Sequence, residues 1–314
     1  MRKAILALSL VVAAAHAGAR RPMGKVPGMT PTRTLVYKTV GDAKPQLHVF
    51  EPEGHKASDK RPAIVFFFGG GWTGGTPTQF FPQCKYLASR GMVAISAEYR
   101  VKSRHGVSPF ECVTDGKSAI RWVRAHAAEL GIAPERLAAG GGSAGGHVAA
   151  CTGVIDGLDE KGEDAAVSSK PNALVLFNPV LVLDWEEFKK AGIPDERIRQ
   201  LSDRFAGRDP KAVSPFHHVN AGDPPTIVFH GKADTTVPFP TAERFAEAMK
   251  KAGSRCELFG YDGQAHGFFN FGRGDAFYAT LREADKFLVS LGYLQGADTL
   301  DDFRKSLSQT DQRR

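Results

Sequence analysis

The strongest constraint on this chain is the alternation of continuous apolar runs with helical segments of ten or more residues. Ala63–Phe68 (AIVFFF), Ala173–Phe177 (ALVLF) and Thr226–Phe229 (TIVF) lack the polar alternation of a half-solvated strand. Met92–Ala97 (MVAISA) is interrupted only by a serine. Such runs belong to strands covered on both faces. Leu35–Val40, Leu47–Phe50, Leu137–Ala139 and Cys256–Tyr261 read as further strands. Between them, Gln79–Arg90, Ala144–Thr152, Thr241–Lys251 and Asp275–Leu291 carry helical patterning, as does a long segment that Pro109 opens and that runs to about Glu129. This order dictates the α/β class, with a mostly parallel central sheet and helices on both faces. Functional groups of such sheets gather at the C-terminal ends of the strands.

Two glycine clusters fall at those ends. Gly141-Gly142-Ser143-Ala144-Gly145 matches G-x-S-x-G between a short strand and a helix. The tight turn demands small residues two before and two after the serine, and it exposes the hydroxyl. The following helix directs its N-terminal dipole at developing negative charge. A phosphate-binding turn would need a P-loop lysine or a G-x-G-x-x-G spacing followed by a ribose-binding acid, and both are missing. Phe68-Gly69-Gly70-Gly71-Trp72 ends the AIVFFF run. Glycines there let backbone N–H groups approach an oxyanion closely.

FGGGW, GGSAG, HGKADTTVP and AHGF together resemble the α/β-hydrolase superfamily, and within it the acetyl-esterase and hormone-sensitive-lipase-like branch of carboxylesterases. The resemblance runs from about Leu35 to Leu294. It implies an α/β-hydrolase fold, a serine esterase activity and no metal or organic cofactor. It also implies that Gly70, Gly71 and Ala144 supply the oxyanion-hole N–H groups. The branch usually carries His where this chain has Phe68, so that residue's hydrogen bond to the loop is expected to be absent.

A serine needs a base held in one tautomer by an acid, and in this fold the chain order is Ser, acid, His. Asp234 follows the TIVF strand and matches the branch's acid; His266 follows the last strand and matches its base. The expected triad is Ser143, Asp234 and His266. Asp262 is the rival acid, while Asp223 sits before its strand. His147 is expected to pack within its helix, His230 to serve in a turn, and His217 and His218 to lie at the surface. Glu98, Arg100 and Asp115 are expected to be structural.

Residues 1–17 have a basic start, an apolar run and an Ala-His-Ala end, the pattern of a cleaved secretory signal. No apolar run is long enough to span a bilayer. Residues 18–33 read as a linker, 34–297 as the catalytic domain and 298–314 as a polar, peripheral tail. Export, periplasmic or extracellular, leaves Cys84, Cys112, Cys151 and Cys256 either disulfide-bonded in an unassigned pairing or buried as thiols. The formal net charge is +7, and it concentrates in the flanks. The signal carries Arg2 and Lys3, the linker four cations and no acid, and the segment from Asp301 to the end a net +1, so Thr34–Leu300 is neutral on balance. Nucleic acid is thereby excluded as a partner.

The substrate expected is a short-chain ester, free or as O-acetyl groups on polysaccharide, since no long apolar lid is visible. Trp72, Phe80, Phe81, Phe268, Phe269 and Phe271 are candidates for an apolar pocket wall. A serine exopeptidase of the same fold and a non-catalytic binding protein are the alternatives. Oligomeric state is not encoded in any motif.

Overall fold

Strand β3 (Arg61–Phe67) shows how the sheet is covered: Ala63, Val65 and Phe67 face one hydrophobic cluster, and Ile64 and Phe66 face another. The computed structural model describes residues 29–190 and 194–312. The expected signal peptide and most of the expected linker lie outside the described residues. The other strands are β1 (Arg33–Val36), β2 (Gln46–Phe50), β4 (Val93–Ala97), β5 (Ile132–Gly142), β6 (Ala173–Phe177), β7 (Thr226–Gly231) and β8 (Cys256–Tyr261). Their order is β1-β2-β4-β3-β5-β6-β7-β8. β2 runs antiparallel to both neighbours, and every pair from β4 to β8 is parallel. This is the α/β-hydrolase arrangement.

Helices α1 (Phe81–Ser89) and α2 (Lys102–His105) precede α3 (Pro109–Ala125), α4 (Ala144–Val154), α5 (Trp185–Lys190) and α6 (Asp195–Ser202). α7 (Phe239–Lys251), α8 (Asp275–Ser290) and α9 (Leu300–Gln312) complete the set. Val113 and Ile120 of α3, Val148 of α4 and Phe245 of α7 pack on one sheet face. Tyr86 and Leu87 of α1, Phe277 and Leu281 of α8, and Leu300 and Phe303 of α9 pack on the other. Among the described residues, no helix is long and apolar enough to cross a membrane.

Local chemistry sets the helix ends. Ser108 caps α3 by accepting from Phe110 N, Glu111 returns the bond by accepting from Ser108 N (2.9 Å), and Pro109 occupies the first turn. α3 stops at Ala125, short of the expected Glu129, and the chain turns through Gly131 at φ 61° into β5. The expected peripheral tail is instead helix α9, because Leu300 and Phe303 lie on one helical face and are buried against α1 and α8.

Asp115 on α3 is fully buried and accepts from Arg100 Nε (2.8 Å), Arg100 Nη2 (2.7 Å), Arg100 N (2.9 Å) and Lys38 Nζ (2.7 Å). It fastens the β4–α2 connection to α3 as a structural cluster. Removing the carboxylate leaves the buried Lys38 and Arg100 with only the more exposed Glu160 as a charge partner, so Asp115→Ala should cost about 3 kcal/mol. Calorimetry should read this as a fall in Tm on the order of 10 °C. A fall of a degree or less would mean that the cations are solvated.

All four cysteines are buried free thiols, which leaves no disulfide pairing to assign. Burial pushes each thiol above its ordinary range. Ellman's reagent should therefore react negligibly with native protein and titrate four thiols after denaturation. Fewer than four would reveal a disulfide.

Candidate active site

The G-x-S-x-G turn joins β5 to α4 with Ser143 at φ 55°, ψ −120°, a conformation rare for a residue with a side chain. Ser143 N donates to Phe177 O at 2.9 Å, which pins the turn to the neighbouring strand. Glycine at 145 is obligatory here, because a Cβ would lie 2.1 Å from the Phe67 carbonyl oxygen.

Three chain-distant residues meet at this turn. His266 Nε2 lies 3.0 Å from Ser143 Oγ, and His266 Nδ1 lies 2.7 Å from Asp234 Oδ2. An ionised carboxylate only accepts, so Nδ1 carries the proton and Nε2 accepts from the serine hydroxyl. Asp234 Oδ1 accepts from Thr236 N (2.8 Å) and Val237 N (2.9 Å). Burial works against the Asp234 charge, but hydrogen bonds from His230 and His266 outweigh it and hold the carboxyl well below the usual range. The rival Asp262 has an 89% exposed side chain paired with Lys232.

The remaining candidates take other roles. His230 is not a turn residue: it ends β7 fully buried, with Nε2 2.8 Å from Val237 O and 3.5 Å from Asp234 Oδ2. The reason is that β7 extends through Gly231, two residues beyond its apolar run. His147 is packed as expected, and burial pushes its pKa down to about 4. Asp223 pairs with Lys170, His217 sits on Ser214 and Asp184, and His218 on Lys211 O.

The loop after β3 carries three successive positive φ values: 135° at Gly70, 61° at Gly71 and 59° at Trp72. Its support comes from side chains around it. The Phe68 ring stacks on Tyr99 (4.3 Å between centroids), and the Tyr99 hydroxyl donates to Phe68 O at 2.7 Å. Gln79 Oε1 accepts from Gly69 N at 2.6 Å, and Gln79 Nε2 donates to Asn270 near the His266 turn. Arg204 Nη1 donates to Gly71 O at 3.0 Å.

Gly71, Ser143 and Ala144 line one cavity of about 160 Å³; Gly70 lies outside its lining. Ala144 is the first residue of α4, so its N–H has no partner within the helix. Val180, Leu183, Phe188, Leu201 and Val237 form apolar walls, and Gln200, Arg204 and Thr241 add polar groups. The expected phenylalanine wall is not there. Phe80, Phe268 and Phe269 lie in the core on the opposite sheet face, with Phe81 and Phe271 against it, and only Trp72 reaches the cavity. None of these rings stands on a strand: Phe80 and Phe81 lie where the chain enters α1, Phe268, Phe269 and Phe271 lie in the turns after β8, and Phe80 and Phe269 pack against Phe177 at the end of β6.

Sequence reasoning missed three contributors. Asn178, fully buried at φ 32°, accepts from Gly267 N (3.1 Å) and so braces the His266 turn. A polar residue ending the ALVLF run was its only signal. Gln79 had none. The segment between β6 and β7 folds α5 and α6 against the cavity.

Comparisons with known proteins follow this geometry. The BD-FAE family model matches residues 47–249, and the dienelactone hydrolase family model matches 205–294. A solved thermophilic esterase from the planctomycete Thermogutta terrifontis, Est2 with propionate bound, is 55% identical over 86% of this chain and 98% of that one (TM-score 0.79). Thermogutta terrifontis esterase 2 phosphoramylated by tabun is 54% identical over the same shares (TM-score 0.79). A probable isoprenylcysteine alpha-carbonyl methylesterase of Arabidopsis thaliana is 29% identical over 74% of this chain and 50% of its own. The chain spans about half the length of the curated relatives it matches first.

Proposed function

Because the chain belongs to the BD-FAE family of α/β-hydrolase carboxylesterases, we propose that it is a serine carboxylesterase cleaving short-chain esters through Ser143, His266 and Asp234. The observation that carries this reading is the continuous relay from Ser143 Oγ through His266 to Asp234 at the mouth of an apolar cavity. His266 Nε2 takes the hydroxyl proton as Oγ attacks the ester carbonyl, and Asp234 stabilises the imidazolium that forms. The Gly70, Gly71 and Ala144 N–H groups receive the oxyanion, each worth on the order of 3 kcal/mol in the transition state. Collapse expels the alkoxide, which takes its proton from His266. Water, deprotonated by the same imidazole, then hydrolyses the acyl-enzyme and restores Ser143.

The cavity volume of about 160 Å³ favours a small acyl group; a buried apolar cavity of about 150 Å³ accepts a molecule the size of benzene. The propionate complex of the Thermogutta esterase agrees with that size, and the tabun adduct of that protein agrees with a nucleophilic enzyme. The polar groups of Gln200 and Arg204 suit a hydroxylated alcohol portion, such as an acetylated polysaccharide met after export. The exopeptidase reading finds little support, because no carboxylate stands among the described lining residues to hold a peptide amine.

A fluorophosphonate should label the protein once, with the added mass on the peptide containing Ser143. In a p-nitrophenyl ester series, kcat/KM should peak between acetate and butyrate and fall at least about tenfold by octanoate, since a longer chain exceeds the cavity. Absence of labelling would overturn the nucleophile; faster turnover of octanoate would overturn the acyl size. Release of acetate from acetylated xylan tests the polymer directly.

A further inference from the structure

Trp72 stands out in the loop beside the cavity. It is a non-glycine at φ 59° and the residue is 3% exposed. Such a conformation persists only where the surroundings over-determine it. The indole Nε1 donates to His147 Nδ1 at 3.1 Å, and the two rings meet edge to face at 5.0 Å. His147 lies on α4 one turn after the nucleophile, its N–H donating to Ser143 O at 3.0 Å. Its Nε2 lies 2.6 Å from Val213 O and 3.4 Å from Cys151 Sγ.

These partners fix the ring. A carbonyl only accepts, so Nε2 carries the proton; an indole only donates, so Nδ1 presents its lone pair. A flipped or differently protonated ring would set donor against donor. The Gly71 side of the loop is thereby tied to the helix that carries Ser143, through one side chain.

We infer that His147 is a positioning residue for ester hydrolysis, holding Trp72, and through it the Gly71 N–H, at the distance from Ser143 that the oxyanion requires. This rests on the reading of Ser143 as nucleophile. His147 does not line the cavity, whose walls are Trp72, Val180, Leu183, Phe188 and Leu201, so the effect of replacing His147 falls on kcat rather than on KM. Misplacement of a catalytic group by about 1 Å costs up to about 100-fold.

Two substitutions divide the ring's functions. His147→Asn keeps an oxygen acceptor near the Nδ1 position, whereas His147→Gln keeps an amide donor near Nε2 and Val213 O. Trp72→Phe removes the N–H donor and keeps a smaller aromatic ring. With p-nitrophenyl acetate, His147→Gln and Trp72→Phe should each lower kcat about 10- to 100-fold, His147→Gln with KM within about threefold, while His147→Asn stays within about threefold of wild type in both. The double variant Trp72→Phe with His147→Gln should be no slower than the worse single. In ¹H–¹⁵N spectra, the Trp72 indole resonance, identified by its loss in Trp72→Phe, should shift in His147→Gln and stay in place in His147→Asn.

The reverse order, with Gln active and Asn slow, would assign the ring to anchoring Val213 and overturn the inference. So would equal kcat in Trp72→Phe and wild type, a result that also serves if His147→Gln fails to fold. Ser143→Ala separates the two readings: activity retained there removes the nucleophile, whereas an inactive Ser143→Ala beside a fully active Trp72→Phe removes only the positioning role.

Discussion

Ser143→Ala should reduce kcat/KM for p-nitrophenyl acetate by about 10⁵–10⁶ while leaving the fold intact. The size follows from what remains. Without Oγ there is no acyl-enzyme, so the oxyanion donors and cavity walls can assist only direct attack by water. Residual acceleration of that kind is about 10³–10⁴ over the uncatalysed reaction. The fold should survive because the strain at Ser143 (φ 55°) is backbone strain, and the Ser143 N to Phe177 O bond does not involve the side chain. Circular dichroism and Tm close to wild type, with no fluorophosphonate labelling, complete the expected pattern. Activity within tenfold of wild type would sink the assignment.

Asp234→Asn should lower kcat/KM about 10⁴-fold by a different route. The carboxylate accepts from His266 Nδ1 at 2.7 Å and thereby leaves Nε2 as the acceptor facing Ser143 Oγ at 3.0 Å. An amide at the same place can turn its NH₂ toward Nδ1, moving the proton to Nε2 and leaving the serine without a base. Loss of the negative charge also removes stabilisation of the imidazolium. KM should change little, because Asp234 is 5% exposed and stands outside the cavity lining. Asp262→Asn is the control and should stay within about twofold, as exposed substitutions usually do.

The same carboxylate has a signature in stability. Its pKa is lowered in the folded state from an ordinary value of 3.8. Its charge therefore stabilises the fold fully above that value, and the contribution is lost as pH falls further. Acid unfolding of Asp234→Asn should consequently show a shallower pH dependence below about pH 4 than wild type.

Much of this architecture was legible in local sequence. AIVFFF, ALVLF and TIVF could only be strands covered twice, and their spacing left room for the intervening helices. The glycines around Ser143 were readable because a turn so tight excludes side chains: a Cβ on Gly145 would meet the Phe67 carbonyl oxygen. Asp234 and His266 were singled out by the resemblance together with their places just beyond strands β7 and β8. Errors arose where the outcome depended on which sheet face a residue joins. Phe80, Phe268 and Phe269 are near the site in sequence, yet the turns that carry them pack their rings into the opposite core. The tail misled for a related reason, since Leu300 and Phe303 find a partner surface only after α1 and α8 are assembled.

The sequence by itself determined the class of sheet and the sharp turn that presents Ser143. These follow from constraints acting within a few residues: backbone sterics, strand periodicity and the size of glycine. Tertiary structure alone decided the 2.7 and 3.0 Å contacts that link residues 32 and 123 positions apart. It also decided the cavity built from the α5–α6 segment, and the brace that Trp72 and His147 form between the glycine loop and the nucleophile helix. Such contacts depend on distances across the fold, and the spacing of residues along the chain does not fix those distances.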